Sequence, residues 1–351
     1  MHPQLAVLGW DPDWEAVRSA QTTPDDLVPA RVAMQHRGGY VLYGSDGEVA
    51  AVVSGRFRHE TRAPADFPAV GDWVLVRDGV IHAVLPRRTA FSRKAADTVA
   101  VEQVAAANVD VVFVVEALGD APNLRRIERY LTVAYESGAR PVVLLSKSDL
   151  AVDLDGALAL VAEIAPGTPI HAVSAYTGAG FEAFDRYCAS GRTAVFLGPS
   201  GVGKTTLLNV LAGEQRPTAA VLADGRGQHT TTHRELVLVH GRGLVIDTPG
   251  MREIQLWDSD GGLSAVFPDI VLLAAGCRFA DCAHTAEPGC AIQKALEDGT
   301  LAPDRYASYR KLEREEAFVT NKRDALALSE ERRQYRIFAR SVRRAGWRGK
   351  E

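Results

Sequence analysis

A run of eight residues constrains the fold of this chain more than any other segment. It reads Gly198-Pro199-Ser200-Gly201-Val202-Gly203-Lys204-Thr205, an uninterrupted match to G-x-x-x-x-G-K-[ST]. The apolar segment TAVFL precedes it and TLLNVLAG follows it, which is the strand-to-helix setting that a phosphate-binding loop requires. Glycines let backbone N–H groups turn toward phosphate oxygens, and the helix N-terminus adds its positive end. We therefore predict a P-loop inside an α/β domain.

The P-loop pattern also assigns roles to its last residues. We expect Lys204 to reach the β- and γ-phosphates and to act in catalysis, and the Thr205 hydroxyl to take a magnesium position. Thr206 and the rest of the loop complete the predicted nucleotide contacts. The alternative is a chance match in a chain with 31 glycines, against which the flanking strand and helix argue.

Two later segments fit the same phosphate and magnesium chemistry. The run GLVIDTPG ends a predicted strand on Asp247, where a carboxylate would lie near magnesium, and Gly250 is then free to approach the γ-phosphate. Between this run and the P-loop lies His229-Thr230-Thr231-Thr232, and we assign Thr231 as a second magnesium ligand.

Two segments earlier in the chain indicate which base the nucleotide carries. Ser146-Lys147-Ser148-Asp149 follows the predicted strand PVVLL and is similar to the [N/T]-K-x-D motif of GTPases. An aspartate in that place accepts two hydrogen bonds from the guanine N1–H and exocyclic amine, and adenine has no matching pair of donors. Ser174 and Ala175 follow another predicted strand and are similar to the S-A-x motif that backs the guanine ring. These residues favour GTP and argue against the alternative of a P-loop ATPase.

The motifs occur in a rotated order. The base-reading segments come first, and the phosphate segments follow at 198–206, 229–232 and 247–250, whereas ordinary GTPases have the phosphate segments first. A circular permutation preserves the same sheet when the original termini lay close together. Alternating strands and helices after about Val99 predict a parallel sheet covered by helices. Its motifs follow the carboxyl ends of strands, where such sheets bind ligands.

The rest of the chain predicts further domains around this one. Residues 1–30 form a short lead-in. Residues 31–90 contain about five short strands separated by turns, for which an OB-fold β-barrel is the leading candidate and an SH3-like barrel the alternative. We place a circularly permuted α/β P-loop GTPase domain at 91–253 and an α-helical zinc-binding domain with a basic tail at 254–351. The predicted fold class is therefore a multidomain protein.

A cysteine and histidine cluster supports the zinc prediction for the last domain. Cys277, Cys282, His284 and Cys290 lie within 14 residues of sequence. Three thiolates and one imidazole complete a tetrahedral shell without an open position, which is typical of a structural zinc ion. The alternative is a cluster of buried cysteines. We expect Cys188 to be an ordinary small apolar residue.

Charge is distributed unevenly along the chain. Residues 304–351 carry 14 lysines and arginines against 8 acidic residues, whereas the first 303 residues carry 26 against 36. An acidic body with a basic tail fits contact with an anionic partner, and a solvated helix is the alternative. No apolar run approaches the ~18 residues of a membrane span, and residues 1–10 lack the regions of a signal peptide. We therefore expect a cytoplasmic protein with no membrane partner.

The permuted motifs, the flanking barrel and the Cys/His segment together resemble the small ribosomal subunit biogenesis GTPases, the RsgA family. The resemblance covers nearly the whole chain and includes VGDWV, LPRRTAFSRK, EQVAAANVD, CRFADCAHTAEPGC and RYASYRKL. It implies an OB-fold, a structural zinc ion, and GTP hydrolysis with magnesium that the small (30S) ribosomal subunit stimulates during its late assembly. It also implies a monomer that binds GTP and GDP and whose basic tail and barrel contact rRNA.

Two positions depart from the wider GTPase pattern. Ser146 stands where the motif has Asn or Thr, and its shorter side chain predicts a weaker base contact. Met251 stands where Ras-like enzymes carry the water-orienting glutamine, although RsgA proteins are similar in having an apolar residue there.

We therefore expect a slow intrinsic rate, with His229 as the candidate for positioning water. A solvent-exposed loop histidine is the alternative for that residue. The alternative for the whole chain is a GTP-gated RNA- or ribosome-binding module without significant turnover.

Overall fold

The computed structural model describes residues 3–21, 24, 26–61, 63–94, 102–119, 121–213, 234–247 and 261–321. Within those ranges no helix is both long and apolar enough to cross a membrane. These ranges do not include His229, Thr231, Gly250 and Met251, which are discussed above. They also do not include the tail beyond residue 321.

The lead-in consists of two short helices that are anchored by tryptophans. They are α1 (Pro3–Val7) and α2 (Pro12–Ser19). Asp11 caps α2 by accepting a 2.8 Å hydrogen bond from the Trp14 backbone N–H. Trp10 and Trp14 are buried, and the Trp10 ring packs edge-on against Trp73 with 4.8 Å between centroids. The lead-in is therefore packed onto the domain that follows it.

A closed five-stranded barrel follows the lead-in. Its strands are β1 (Val28–His36), β2 (Gly39–Gly44), β3 (Gly47–Val53), β4 (Trp73–Arg77) and β5 (Val80–Val84). The strand order is β1-β2-β3-β5-β4, and β4 pairs back with β1. Helix α3 (Gly55–Glu60) and a 3-10 turn (Pro64–Asp66) lie between β3 and β4. This connectivity confirms the predicted OB-fold over the SH3-like alternative.

The second domain is an α/β layer built on a mostly parallel sheet. Its strands are β8 (Val111–Ala117), β9 (Arg140–Ser146), β10 (Ile170–Val173), β11 (Thr193–Leu197), β12 (Glu235–Leu238) and β13 (Leu244–Asp247). Their order in the sheet is β10-β9-β8-β11-β13-β12, with β12 antiparallel to β13. The covering helices are α4 (Leu124–Glu136), α5 (Leu154–Ile164), α6 (Glu182–Tyr187) and α7 (Lys204–Ala212). Apolar side chains fill both faces, as the continuous apolar strands predict.

The barrel and the α/β sheet are joined in two ways. Strand β1 pairs with β12 at Met34 and Glu235, so the five barrel strands and the six strands of the α/β domain form one continuous eleven-stranded sheet. A separate hairpin of β6 (Ala90–Lys94) and β7 (Glu102–Ala107) lies between the two domains in sequence. Its last residue donates from the Ala107 N–H to the Val70 carbonyl at 2.9 Å, which ties the hairpin to the barrel.

The C-terminal unit consists of short helices packed against α4. They are α8 (Gly262–Val266), α9 (Pro268–Ala275), α10 (Ala291–Glu297) and α11, which spans residues 303–321. Helix α8 approaches α4 so closely that a Cβ at Gly262 would lie 2.8 Å from the Thr132 carbonyl oxygen. Phe267 and Ile292 are buried in the same apolar core as Ile127 of α4. The unit therefore shares its core with the α/β domain.

Arg305 of α11 differs from what the sequence suggested for this helix. We expected the arginines of the segment to face an anionic partner, but Arg305 is only 8% exposed. Its guanidinium donates to both carboxylate oxygens of Asp269 at 2.6 and 2.7 Å, and to Glu128 of α4 at 2.8 Å. Arg305 therefore fixes α11 to α4 and α9 and is not available to RNA.

Candidate functional site

The P-loop connects the carboxyl end of β11 to α7 and depends on glycine at three positions. Gly198, Gly201 and Gly203 have φ angles of 154°, 80° and 94°, in the region that L side chains rarely adopt. A Cβ at Gly198 would also lie 2.4 Å from the Val115 carbonyl oxygen. The backbone can therefore curve as a phosphate-binding loop does only because these residues lack side chains.

Lys204 lies across this loop. Its Nζ donates to the carbonyl oxygens of Gly198 at 2.8 Å and Pro199 at 2.7 Å. The positive charge is thereby held beside the loop and not extended into solvent. Thr205 and Thr206 follow in the first turn of α7, with Thr205 half-buried and Thr206 exposed.

Ser146 joins the end of β9 to the P-loop. Its hydroxyl donates to the Val202 carbonyl oxygen at 2.6 Å and lies 3.3 Å from the Glu116 carbonyl oxygen at the end of β8. The side chain is 2% exposed, so water does not compete for these contacts. Ser146 therefore contacts the loop backbone, and its contact with the base stays a prediction.

The segment after Ser146 turns sharply and presents Asp149. Lys147 has a φ of 57°, a left-handed conformation that is uncommon outside glycine, and a 3-10 turn over Ser148–Leu150 follows. Strained backbone of this kind is often found at functional sites. The turn brings the Asp149 carboxylate to the surface of the loop, where it is exposed.

Ser174 binds Asp149 and so links the two segments predicted to read the base. Its hydroxyl accepts from the backbone N–H groups of Tyr176 at 3.2 Å and Thr177 at 3.1 Å. The hydroxyl proton is left to donate to Asp149 Oδ1, which lies 2.5 Å away. Ser174 is completely buried, and Ala175 beside it is half-buried. The buried Ser174 hydroxyl therefore fixes one oxygen of Asp149, which orients the carboxylate.

The strands that carry these segments end at one edge of the sheet. Ser146 ends β9, Ser174 follows β10, Gly198 follows β11 and Asp247 ends β13. All four strands run in the same direction, because each pairs in parallel with a neighbour in the set that includes β8. The structure thus brings the base-reading and phosphate segments to the crevice where open α/β sheets bind ligands. The predicted residues His229, Thr231 and Gly250 belong to the part of the chain that is not described.

A partly buried ion pair at this edge was not predicted from the sequence. Glu116 near the end of β8 accepts a bidentate contact from Arg126 of α4, with 2.9 Å from Nε to Oε2. The same carboxylate accepts from the Asn123 backbone N–H at 3.3 Å. The pair orders the turn between β8 and α4 beside Ser146. Glu116, the one acidic residue of the apolar strand VVFVVEA, is the sequence signal that could have identified it.

The four predicted metal ligands lie together in the C-terminal unit. The ligand atoms of Cys277, Cys282, His284 and Cys290 are all within 4.8 Å of one another. His284 Nδ1 is 3.5 Å from the sulfurs of both Cys277 and Cys290, and those sulfurs are 4.0 Å apart. Backbone N–H groups of Ala291 and Gln293 donate to the same two sulfurs at 3.4 and 3.5 Å. The cluster can hold a metal ion.

Cys188 stands apart from this cluster. Burial in the apolar core raises the pKa of its thiol to about 12, so it stays protonated at neutral pH. The residue behaves as the small apolar side chain that the sequence suggested.

Comparison with known proteins agrees with this geometry over nearly the whole chain. The family model described as RsgA GTPase matches residues 84–257. The chain is 48% identical over 345 residues to a protein from Opitutus terrae named small ribosomal subunit biogenesis GTPase RsgA, covering 93% of this chain and 94% of that protein. A protein of the same name from Syntrophotalea carbinolica is 43% identical over 359 residues, covering 98% of each.

Two solved structures share the fold. YjeQ from Thermotoga maritima has a TM-score of 0.61 and 28% sequence identity, covering 83% of this chain and 99% of that one. YloQ, described as a circularly permuted GTPase, has a TM-score of 0.58 and 25% identity, covering 87% and 98%. The relatives match this chain over nearly the full length of both, and this chain belongs to the RsgA family of GTPases.

Proposed function

We propose that this protein binds GTP with magnesium at the described sheet edge and hydrolyses it to GDP and phosphate. We further propose that the small (30S) ribosomal subunit stimulates this hydrolysis during its late maturation. The observation that carries the proposal is the joining of the base-reading pair Asp149–Ser174 to the P-loop through Ser146. Both relatives are named small ribosomal subunit biogenesis GTPases, which supports the small subunit as the partner.

Apart from Gly250, the proposed nucleotide contacts use residues that lie within the described ranges. The Ser174 hydroxyl occupies one lone pair of the Asp149 carboxylate. Asp149 would accept hydrogen bonds from the guanine N1–H and amine with the lone pairs that remain. Lys204 would exchange its two carbonyl partners for β- and γ-phosphate oxygens. The full proposed set is Ser146, Lys147, Ser148, Asp149, Ser174, Ala175, Gly198, Pro199, Ser200, Gly201, Val202, Gly203, Lys204, Thr205, Thr206, Asp247 and Gly250.

Hydrolysis requires charge neutralisation and a positioned water. Thr205 and Thr231 would hold magnesium, which neutralises charge on the phosphate oxygens. Met251 has no group that orients water, so we assign that role to His229, whose imidazole can accept a proton near neutral pH.

We propose that the Cys/His cluster holds one structural zinc ion. With Zn–S near 2.3 Å and Zn–N near 2.0 Å, a tetrahedral site has S–S separations of about 3.8 Å and S–N separations of about 3.5 Å. The corresponding separations here are 4.0 and 3.5 Å. Four protein ligands leave no open position, so the ion would stabilise the fold without taking part in catalysis.

The proposed RNA contacts are the barrel and the basic tail. OB-folds bind nucleic acids on their barrel surface, and the basic residues of the tail suit rRNA phosphates. Arg305 is excluded from this role by its carboxylate partners. We place the protein in the cytoplasm as a monomer that binds and leaves the subunit with its nucleotide state.

The experiment that tests the proposal is phosphate release from GTP and from ATP, each with and without purified 30S subunits. We expect release that is selective for GTP and rises strongly with subunits. Lys204→Ala serves as the control for contaminating nucleotidases, since it lacks the phosphate-binding ammonium. GTP binding without subunit-stimulated release would instead favour a GTP-gated binding module.

A further inference from the structure

A second cleft, of about 620 Å³, lies at the opposite edge of the α/β sheet from the proposed nucleotide site. Asp110 and Arg192 line it and immediately precede β8 and β11, and Arg140 lines it as the first residue of β9. Strand β9 ends at Ser146, six residues later, which corresponds to about 20 Å at ~3.3 Å per residue. The cleft is therefore separate from the P-loop.

Arg31 lines this cleft, and no carboxylate of the described residues forms an ion pair with it. It is 2% exposed and donates to the carbonyl oxygens of Gly71 at 3.2 Å, Asn108 at 3.0 Å and Leu8. Burial lowers the pKa of Arg31 to about 10, although Asp110 and Asp72 act on it from a distance. Asp72 is already engaged by Arg87 at 2.7 Å. Three of the five guanidinium N–H groups are used, so two remain for a further acceptor.

Trp73 also lines the cleft and carries a hydrogen-bond donor without a partner in the described ranges. This donor is its buried indole Nε1–H. The ring lies under Arg31, with 5.5 Å from the guanidinium carbon to the ring centroid, and both residues line the cleft. Leaving a buried N–H without an acceptor costs about 1–3 kcal/mol. An acceptor in the cleft would remove that cost.

The rim has more positive than negative side chains. Asp11 binds Arg88 through both oxygens at 2.7 and 2.8 Å, and Asp110 binds Arg192 at 2.8 Å. The exposed guanidinium of Arg140 lies 5.5 Å from the Tyr187 ring centroid, and no ion pair with it is found among the described residues. With Arg31, the cleft thus has two more arginines than aspartates.

We propose that this cleft is a second binding site, specific for phosphate groups. Arginine forks match phosphate oxygens in pairs, and the indole N–H supplies one more donor. The volume of the cleft admits more than one phosphate group. The phosphate that binds there belongs either to a free phosphate compound or to the backbone of single-stranded RNA. The site does not depend on the proposed reaction at the P-loop.

The experiment follows the Trp73 indole N–H directly. The full-length protein is labelled with ¹⁵N-indole tryptophan and saturated with GDP and magnesium, so that the P-loop is filled. Trp73→Phe identifies the signal by removing it while keeping a buried ring. Inorganic phosphate replaces chloride at constant ionic strength in one arm, and a uridine hexanucleotide is added in the other.

We expect the Trp73 signal to move downfield and saturate with at least one probe. Arg140→Gln should weaken the binding of that probe about tenfold, since the substitution removes one charge-assisted contact. Arg186→Gln, an exposed arginine outside the cleft, should leave the titration unchanged. Saturation by phosphate alone identifies a free phosphate compound, and saturation by the hexanucleotide identifies an RNA backbone. An unmoved Trp73 signal with both probes, or equal titrations for the two arginine variants, overturns the proposal.

Discussion

Ser146 shows how a short side chain can serve a position where related GTPases use Asn or Thr. The Val202 carbonyl oxygen approaches to 2.6 Å, so a serine hydroxyl is long enough to bind it. The same hydroxyl lies 3.3 Å from the Glu116 carbonyl oxygen, in surroundings that exclude water. Ser146 therefore sets the distance between the base-reading turn and the P-loop.

Removing that hydroxyl tests its positioning role. Ser146→Ala leaves the buried Val202 carbonyl without its donor, so we expect a stability loss of about 1–2 kcal/mol and GDP binding about fivefold weaker. Ser146→Thr keeps the hydroxyl and should bind GDP as the native protein does. Titration with a fluorescent GDP analogue and thermal unfolding measure the two effects. Equal GDP affinity in all three proteins contradicts the role.

Asp149 determines the base in our proposal. In Asp149→Asn, one acceptor becomes an amide donor, so guanine loses a hydrogen bond and meets a facing donor, while xanthine offers a carbonyl there. We expect GDP affinity to fall on the order of a hundredfold and xanthosine diphosphate affinity to rise. The Asn oxygen can still accept from Ser174, so the loop should keep its shape. Competition between the two nucleotides gives the preference, and unchanged guanine preference would show that the base is read elsewhere.

At the level of elements, a buried ion network holds α11 to α4. Glu128 is completely buried and accepts from Arg305 at 2.8 Å and from Ser308 at 2.7 Å. Arg305→Ala removes the more buried of the two guanidinium groups that bind Glu128 and leaves that carboxylate to the partly exposed Arg125, so it should cost about 3 kcal/mol. Arg314→Ala on the same helix should cost under about 0.5 kcal/mol, since Arg314 is exposed and its Nε bonds only to the Arg310 carbonyl oxygen. Denaturant unfolding compares the two variants, and similar losses would mean that the network contributes little.

The same network predicts a dependence on acid. Burial opposes ionisation of Asp269, but the hydrogen bonds and charge of Arg305 outweigh it and hold the pKa of Asp269 below its usual value. A carboxylate with a lowered folded-state pKa contributes stability above its unfolded pKa near 3.8, and loses it as pH falls through the folded value. Asp269→Asn should therefore be less stable than the native protein at pH 7, with the difference closing as pH falls from the unfolded pKa of 3.8 through the lower folded value. Melting temperatures of both proteins across that range measure it, and a constant difference excludes this linkage.

Metal removal tests the Cys/His cluster as an element. We expect one zinc per chain by elemental analysis, and a lower melting temperature after treatment with a chelator, because ligation supplies folding free energy to short helices. Cys290→Ser should lose the zinc, whereas Cys188→Ser should retain it. Full zinc content in Cys290→Ser would rule out these four ligands.

Local signals made much of the fold predictable. Apolar and polar residues alternate along the barrel strands, and turn residues separate the strands. The P-loop motif and the helical sequence patterns of α4 and α5 are each contained in a short segment. Strands β6, β7 and β12 were not predicted, since AFSRK and EQVAAA have few strand-forming side chains and depend on their tertiary partners. Helix α8 is five residues long, too short for a periodic pattern.

The site residues were identified from motifs, but the contacts between them were not. Ser146 and Val202 are 56 residues apart, and Ser174 and Asp149 are 25 apart. Such contacts depend on strand order in the sheet, which the motifs themselves do not specify. Arg305 was assigned to a basic surface because sequence distance hides its partner Glu128, 177 residues earlier.

For the whole molecule, the important relation is between the nucleotide edge and the C-terminal unit. Strand β13 ends at Asp247 and α8 begins at Gly262, so one short segment connects them. Helix α8 and helix α11 are both fixed to α4, by close backbone approach at Gly262 and by Arg305. The contacts with α4 hold the C-terminal unit in place on the α/β domain. We propose that a change of nucleotide state reaches the C-terminal unit through the segment between β13 and α8.

Lengthening the segment tests that coupling. Four glycines inserted after Gln255 should leave basal GTP hydrolysis within about twofold, since the P-loop and base-reading residues are untouched, while stimulation by 30S subunits falls severalfold because a slack flexible linker transmits little force. The matched control is the same insertion after Gly167, an exposed turn whose left-handed φ of 75° and open surroundings tolerate added residues. The ratio of stimulated to basal phosphate release decides the outcome. If both insertions preserve that ratio, nucleotide state reaches the subunit by another route, of which the pairing of β1 with β12 is the one that the fold offers.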